Sequence, residues 1–179
     1  MSTISNTVSM LLLPNDGALQ TTTCSLARAR VGDETVRTIA SVDELAALVG
    51  DRTDLYLRWS AGPSADRDGR SQDALTGVDL PGLSANALAV EPWWGERSRS
   101  VWIARRLYDY QHLRHERGDD AWVLTGRECG RGPDNEPLLD AVEVVGKVAP
   151  SVAEEARRTI ETLNDDWGTL DRNGANSAE

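Results

Sequence analysis

One short alternating segment constrains the fold of this chain most. Residues 55–60 read LYLRWS, and this period of two predicts a β-strand with different environments on its two faces. Leu55, Leu57 and Trp59 would face the core, whereas Tyr56, Arg58 and Ser60 would face the other way. An arginine on the second face requires either a carboxylate partner or a polar cleft.

The strand is followed by a long stretch without clear periodicity. Residues 61–97 contain several turn dipeptides, including Gly62-Pro63 and Pro81-Gly82. Loops of this length are uncommon inside a compact domain and are usually functional or disordered. Because the stretch also carries apolar residues such as Leu83, Trp93 and Trp94, we expect a long ordered loop that packs onto the domain.

The remaining patterns predict an α+β fold. A capping box from Ser41 to Glu44 begins one helix, and Gly50 ends it. Helical periodicity is strongest over 98–117, and a last helix is predicted over about 150–166. Strands are predicted at 53–60, 121–129 and 137–148, the last range as one or two strands. We expect a small, mostly antiparallel sheet packed by about three helices.

The chain has 179 residues, which is enough for one domain with its own core. We expect a single α+β domain over 34–168. Residues 1–33 are rich in small polar residues and predict a flexible N-terminal segment, while 169–179 predict a disordered C-terminal tail.

Charge and composition argue against several classes of function. The formal net charge is −10, which opposes a broad grip on a phosphate backbone, so we expect no nucleic-acid partner. The early apolar run Met10–Leu13 is too short to span a bilayer. We therefore expect no membrane association and a cytoplasmic location. Cys24 and Cys129 are the only cysteines and are predicted to be isolated thiols.

Arg58 begins the first candidate site, together with Ser60 on the same strand face and Asp66 in the loop that follows. Two interpretations stay open. The arginine pairs with a carboxylate, for which Asp66, Asp68 and Glu136 are candidates. Alternatively, it holds an anionic group of a ligand through two parallel hydrogen bonds.

Two further loops concentrate polar groups. A Pro-Gly turn precedes Ser84 and Asn86, and residues 130–136 read GRGPDNE. Turn chemistry explains the glycines and the Asp-Asn pair of the second loop, but it does not require Glu136. The candidate catalytic residues are Ser84 and Glu136. The candidate ligand-binding residues are Arg58, Ser60, Asn86, Trp93, Trp94, Arg131 and Asn135.

No metal site is predicted. His112 and His115 share a helix face with Asp109, but Arg114 and Arg117 lie beside them and would repel a cation. A solvated helix surface explains this group better than a metal centre.

Five motifs resemble a family of uncharacterised actinobacterial proteins that is catalogued only as a domain of unknown function. The motifs are LYLRWSAGP at 55–63, LPGLSAN at 80–86, EPWW at 91–94, AWVLTGR at 121–127 and GRGPDNEP at 130–137. The resemblance runs from about Val36 to Ala149. It implies a small soluble protein and brings no activity or catalytic residue.

A second resemblance is to the ADP-ribosyltransferases that use an arginine, a serine and a glutamate in this order along the chain. Arg58, Ser84 and Glu136 match that order. The resemblance implies NAD as cofactor, with its pyrophosphate on Arg58, its nicotinamide ribose on Ser84 and its oxocarbenium-like charge beside Glu136. The chain departs from the family because Ser84 is a single hydroxyl and Pro137 follows the glutamate.

Two functions are therefore expected as alternatives. The first is a small enzyme or ligand-binding protein, with a polar cleft that contains Arg58 and takes an anionic, NAD-like small molecule. The second is a non-catalytic interaction module that uses an acidic surface and Trp93-Trp94 as an anchor for a protein partner. Convergence of Arg58, Ser84 and Glu136 in one pocket favours the first function.

Overall fold

The computed structural model describes residues 36–66, 70–73 and 75–163. Within them the strands are β1 (Thr38–Ile39), β2 (Leu55–Ser60), β3 (Leu83–Ser84), β4 (Asn86–Ala87), β5 (Asp120–Arg131) and β6 (Pro137–Val148). The helices are α1 (Val42–Val49), α2 (Arg99–Asp109), α3 (His112–Arg117) and α4 (Pro150–Thr162), with a 3₁₀ turn at Pro92–Trp94. The predicted α+β class with a mostly antiparallel sheet is confirmed.

The sheet curls because one short segment contacts two distant strands. β5 pairs antiparallel with both β2 and β6. β4 then pairs with β2, whereas β3 pairs with β6. Only Ala85 separates β3 from β4. The segment Leu83–Ala87, which we call the closing segment, therefore connects the two sides of the curled sheet.

The two faces of β2 contact two different cores. Leu55, Leu57 and Trp59 belong to the larger core, which lies between the sheet and α1, α2 and α4. On the opposite face, Tyr56 packs in a smaller core inside the curl. The other buried members of the smaller core are Leu83, Ala85, Leu124, Leu139 and Val142. The predicted alternation of β2 is confirmed.

The sequence pattern predicts one long ordered loop over residues 61–97, and this prediction is wrong in one respect, because the stretch is not one continuous loop. It contains β3, β4 and an isolated bridge between Gln72 and Asp79. Gly82 introduces the closing segment, and a Cβ there would lie 2.9 Å from Cys129 Sγ and 3.0 Å from the Leu139 carbonyl oxygen. Only glycine permits the chain to approach β6 this closely.

The helices follow their sequence signals with one exception. At α1 the Ser41 hydroxyl accepts a 3.0 Å hydrogen bond from the Glu44 backbone N–H, and Gly50 ends the helix with a φ of 47°. The single helix predicted over 98–117 is wrong, because the chain leaves helical geometry at Tyr110 and resumes in α3.

Three further expectations concern the ends of the chain, the cysteines and the membrane. The segments 1–33 and 169–179, as well as Cys24, lie outside the described residues. Cys129 is disulfide-bonded, so the prediction of an isolated thiol at this position is wrong. Within the described part of the chain, every helix is too short or too polar to cross a membrane.

The smaller core gives the first prediction. Tyr56 is 4% exposed, and its hydroxyl donates to Glu128 Oε1 at 3.1 Å. Burial, followed by the negative charge of Glu128, raises the pKa of Tyr56 from 10.0 to about 12. Between these two values the unfolded chain loses the phenolic proton while the folded protein keeps it. The free energy of unfolding therefore falls as pH rises through this range.

Substitution of Tyr56→Phe should remove the part of the fall in the free energy of unfolding at alkaline pH that comes from Tyr56. Urea unfolding of both proteins at pH 8, 10 and 11 measures it. Equal declines in the two proteins would contradict this account of Tyr56.

Candidate functional site

Arg58 lies at the centre of a hydrogen-bonded network beside the closing segment. Its Nη2 donates to Asp66 Oδ1 at 2.8 Å, and its Nη1 donates to the Ser84 carbonyl oxygen at 2.6 Å and to Ser71 Oγ at 3.2 Å. The side chains of Arg58 and Asp66 are only 17% and 13% exposed. Arg58 thus joins β2, the loop after it and the closing segment.

The partners of Arg58 are themselves connected to one another. The Ser60 hydroxyl donates to Asp66 Oδ2 at 2.6 Å and accepts from the Gly62 backbone N–H at 3.2 Å. Ser71 Oγ accepts from the Ser84 backbone N–H at 2.9 Å. Of the interpretations left open for Arg58, pairing with a carboxylate is the one that the structure has, and the carboxylate is Asp66.

A cleft of about 440 Å³ opens beside this network. Four parts of the chain form its walls: the sheet, the residues 65–66, 70–73, 75 and 80 that follow β2, the turn between β5 and β6, and the helical region from Tyr110 to Arg117. Its polar lining side chains are Arg58, Asp66, Arg70, Ser71, Gln72, Asp73, Ser84, Asn86, Tyr110, Arg117, Asp134 and Glu136.

Four of the residues predicted for the site meet in this cleft. Arg58 comes from β2, Ser84 from β3, Asn86 from β4 and Glu136 from the turn before β6. Their convergence does not depend on proximity in sequence, because the curl of the sheet brings them together. The cleft is concave, which is the usual form of a small-molecule site, and its lining is more polar than that of most such sites.

The sequence did not single out several other lining residues, among them Arg70, Tyr110, Arg117 and Asp134. Arg70 stands in a stretch without periodicity, and Arg117 had been assigned to a solvated helix surface. Tyr110 reaches the cleft because the helix breaks between α2 and α3, and the sequence has no glycine or proline there to indicate the break. Asp134 had been explained fully by its turn.

Glu136 has a local structural role in addition to its place in the cleft. Its Oε2 accepts a 3.0 Å hydrogen bond from the Asp134 backbone N–H. The carboxylate occupies the space beside Gly132, where a Cβ would collide with it. The inference that the turn does not require Glu136 is therefore wrong, since its side chain helps to hold the turn.

Five predicted binding residues do not line the cleft: Ser60, Trp93, Trp94, Arg131 and Asn135. Ser60 is held by Asp66, and Arg131 donates to Glu128 at 2.9 Å. Trp94 is 1% exposed, and both tryptophans make edge-to-face contacts with Trp102 on α2. Trp94 therefore belongs to the larger core, whereas Trp93 is exposed and contacts that core only at its edge.

The charges on the two sides of the cleft influence Tyr110. Burial raises the pKa of its hydroxyl, and the negative charges of Asp109, Asp134 and Glu136 act in the same direction, whereas Arg106 opposes them. The carboxylates of the β5–β6 turn therefore add to the effect of burial and of Asp109 in raising the pKa of Tyr110.

Metal ligands are not assembled at this site. Across residues 36–66, 70–73 and 75–163, His, Cys, Asp and Glu side chains form no group of three or more with the spacing of a metal centre. His112 and His115 are exposed on α3.

The sequence matches the model of a family of unknown function, DUF6098, over residues 32–168. Because this match covers well over half of the chain, the chain belongs to that family. The expected resemblance to a family without an assigned function is thereby confirmed. No curated protein and no solved structure matches the sequence. Function must therefore be argued from the cleft itself.

The Arg58 network gives the second prediction. Substitution of Arg58→Ala leaves the carboxylate of Asp66 largely buried without its cation and removes the bond to the Ser84 carbonyl. We expect a loss of about 2–4 kcal/mol in the free energy of unfolding, because an unpaired charge in such a position is costly. Urea denaturation measures the loss.

Arg158→Ala is the matched control, because Arg158 is exposed on α4 and forms no ion pair with a described residue. A surface substitution of this kind should change stability by less than about 0.5 kcal/mol. If both variants lose equally little stability, Arg58 does not anchor the loop and the closing segment.

Proposed function

For this member of DUF6098 we propose the function of a small-molecule-binding protein whose cleft takes a ligand with an anionic group. One observation carries the proposal. Arg70 and Arg117 line the same cleft as Ser84, Asn86 and Glu136, although these residues come from distant parts of the chain. We propose in addition that the protein is soluble, cytoplasmic and of actinobacterial origin.

Arg70 and Arg117, rather than Arg58, are the cations proposed to contact the anion. The charge of Arg58 is neutralised by Asp66 at 2.8 Å, and its Nη1 is occupied by Ser84 and Ser71. In contrast, Arg70 and Arg117 are exposed and form no ion pair with any described residue. A guanidinium that is free to form two parallel hydrogen bonds suits a carboxylate or a phosphate.

Neutral polar groups complete the proposed site. The backbone N–H and carbonyl of Ser84 are held by Ser71 and Arg58, which fixes the position from which the Ser84 hydroxyl meets a ligand. The Asn86 amide offers both donors and an acceptor from β4. Because both residues lie on the closing segment, their geometry is set before a ligand arrives, which lowers the entropic cost of binding.

An NAD-like ligand and ADP-ribosyl transfer are the specific chemistry proposed within this function. The presence of Arg58, Ser84 and Glu136 in one cleft supports the proposal. Two contacts argue against ADP-ribosyl transfer: Arg58 is already paired with Asp66, and Glu136 is hydrogen-bonded within the turn. Binding is therefore the primary proposal. Catalysis would break the bond between nicotinamide and the ribose and would form a new bond from that ribose carbon to water or to the hydroxyl of an acceptor. Glu136 Oε1 would stabilise the positive charge that develops as nicotinamide leaves.

The second candidate function is a non-catalytic interaction module. Trp93 is 53% exposed beside the buried Trp94, and the net charge of −10 gives the protein an acidic character. The anchor would then consist of one exposed ring instead of two. Its indole N–H is already bonded to Glu91 Oε2 at 2.5 Å, so the ring offers a partner mainly its apolar face.

The binding function predicts a ligand-dependent rise in the thermal unfolding midpoint. A screen would compare NAD, nucleotides, sugar phosphates and small organic acids. A ligand that binds only the folded state raises the midpoint through linkage, by about 2.7 kcal/mol of stability at a hundredfold excess over its Kd. Arg117→Gln should weaken binding of the best ligand about tenfold or more, as measured by calorimetry.

The control for this experiment is Arg158→Gln, which also removes one exposed arginine but lies on α4 outside the cleft. It should leave binding unchanged. Arg58→Ala is a poor control because it is expected to destabilise the fold. If none of these compounds shifts the wild-type midpoint, the anionic-ligand function is wrong and Trp93→Ala should be tested for loss of a protein partner.

The catalytic form of the proposal predicts that the protein releases nicotinamide from NAD. Glu136→Gln should reduce that rate about a hundredfold or more, because the amide cannot stabilise a developing positive charge in the same way. Chromatography of the products measures release. Tight NAD binding without release would leave the binding function in place and exclude the catalytic one.

A further inference from the structure

We infer that the ligand of this cleft is a zwitterion, with an ammonium group near the β5–β6 turn and a carboxylate or phosphate near Arg70 and Arg117. This inference rests on the proposed binding function and specifies its ligand class. Its basis is the presence of unpaired charges of both signs in one cavity.

Two of the four carboxylates of the cleft are already engaged. Asp66 pairs with Arg58 at 2.8 Å. Asp73 accepts the backbone N–H groups of Leu75 and Thr76 at 2.7 and 3.1 Å. Neither carboxylate therefore needs a cation from a ligand.

Asp134 and Glu136 provide the negative charge that is left. Asp134 is exposed, and its carboxylate has no hydrogen bond or ion pair within the described part of the chain. Glu136 uses Oε2 for the turn and leaves Oε1 without a described donor. Only Asn135 separates the two residues in the turn, and both line the cleft, so their charges act together on whatever occupies it.

The unpaired positive charges lie on other walls. Arg70 belongs to the loop after β2, and Arg117 ends α3. Arg70 and Arg117 form no ion pair with Asp134 or Glu136, although all four line the same cavity. Groups of opposite sign thus line one cavity without pairing with each other, and a ligand with two separated charges would connect them.

Electrostatics then favours a zwitterion over a simple anion. An anion that approaches the arginines also approaches Asp134 and Glu136, which repel it, whereas an added ammonium group converts that repulsion into attraction. Tyr110 supports the same placement. Tyr110 lines the cleft together with Asp134 and Glu136, and an aromatic ring can add a favourable cation–π contact to an ammonium group.

Matched ligands test the inference. Phosphoethanolamine would be compared with ethyl phosphate and with ethylamine. Glycine, β-alanine, 4-aminobutyrate and 6-aminohexanoate would be compared with the acids that lack the amine. We expect at least one zwitterion to bind about tenfold or more tightly than its matched anion, as measured by calorimetry on the full chain.

Variants assign the two charges. Asp134→Asn should reduce the affinity of the best zwitterion to that of its matched anion, and it should leave the anion itself unweakened. Arg117→Gln should weaken both ligands. Glu96→Gln is the control because Glu96 is exposed and lies outside the cleft; it should change neither affinity.

Two results would overturn the inference while retaining the proposed function. In the first, each anion binds as tightly as its zwitterion. In the second, the preference for the zwitterion survives unchanged in Asp134→Asn. Absence of binding by every anion and every zwitterion would overturn both the inference and the anionic-ligand function.

Discussion

The ion pair between Arg58 and Asp66 is the interaction on which the cleft depends most. It connects β2 with the loop that follows, and both side chains are less than a fifth exposed. The same guanidinium also holds the Ser84 carbonyl and the Ser71 hydroxyl. Removal of the cation would leave a poorly hydrated carboxylate and free two segments together, so the cost extends beyond one contact.

This arrangement separates the residue that builds the cleft from the residues available to a ligand. Arg58 is the arginine that stands out in the sequence, because it interrupts an apolar strand. Its surroundings show why a strand can carry it: Asp66, Ser71 and Ser84 satisfy its terminal nitrogens. Arg70 and Arg117 attract less notice in the sequence, yet they keep their charges exposed.

Sequence patterns predicted those elements whose signals are local. The alternation of β2 placed Leu57 and Tyr56 on opposite faces of the strand, and the Ser41 capping box marked the start of α1. That Tyr56 packs in a second, smaller core was not predicted. β3 and β4 were not predicted, because strands of two residues are too short for a period to appear. They exist through pairing with β6 and β2, which are distant in sequence. The same long-range pairing brings Ser84 to Arg58.

The side chains of the candidate site divide into two groups according to whether the fold already uses their charge. Asp66 and Asp73 are neutralised or hydrogen-bonded within the framework. Asp134, Arg70 and Arg117 have no side-chain partner among the residues that the structure describes. A framework ion pair tolerates a low dielectric because its partner is fixed, but an exposed, unpaired group retains the solvation that a ligand must replace. Affinity at this cleft therefore depends on how well the charges of the ligand match Asp134, Arg70 and Arg117. The stability of the fold depends instead on Asp66 and Asp73, whose charges are already used.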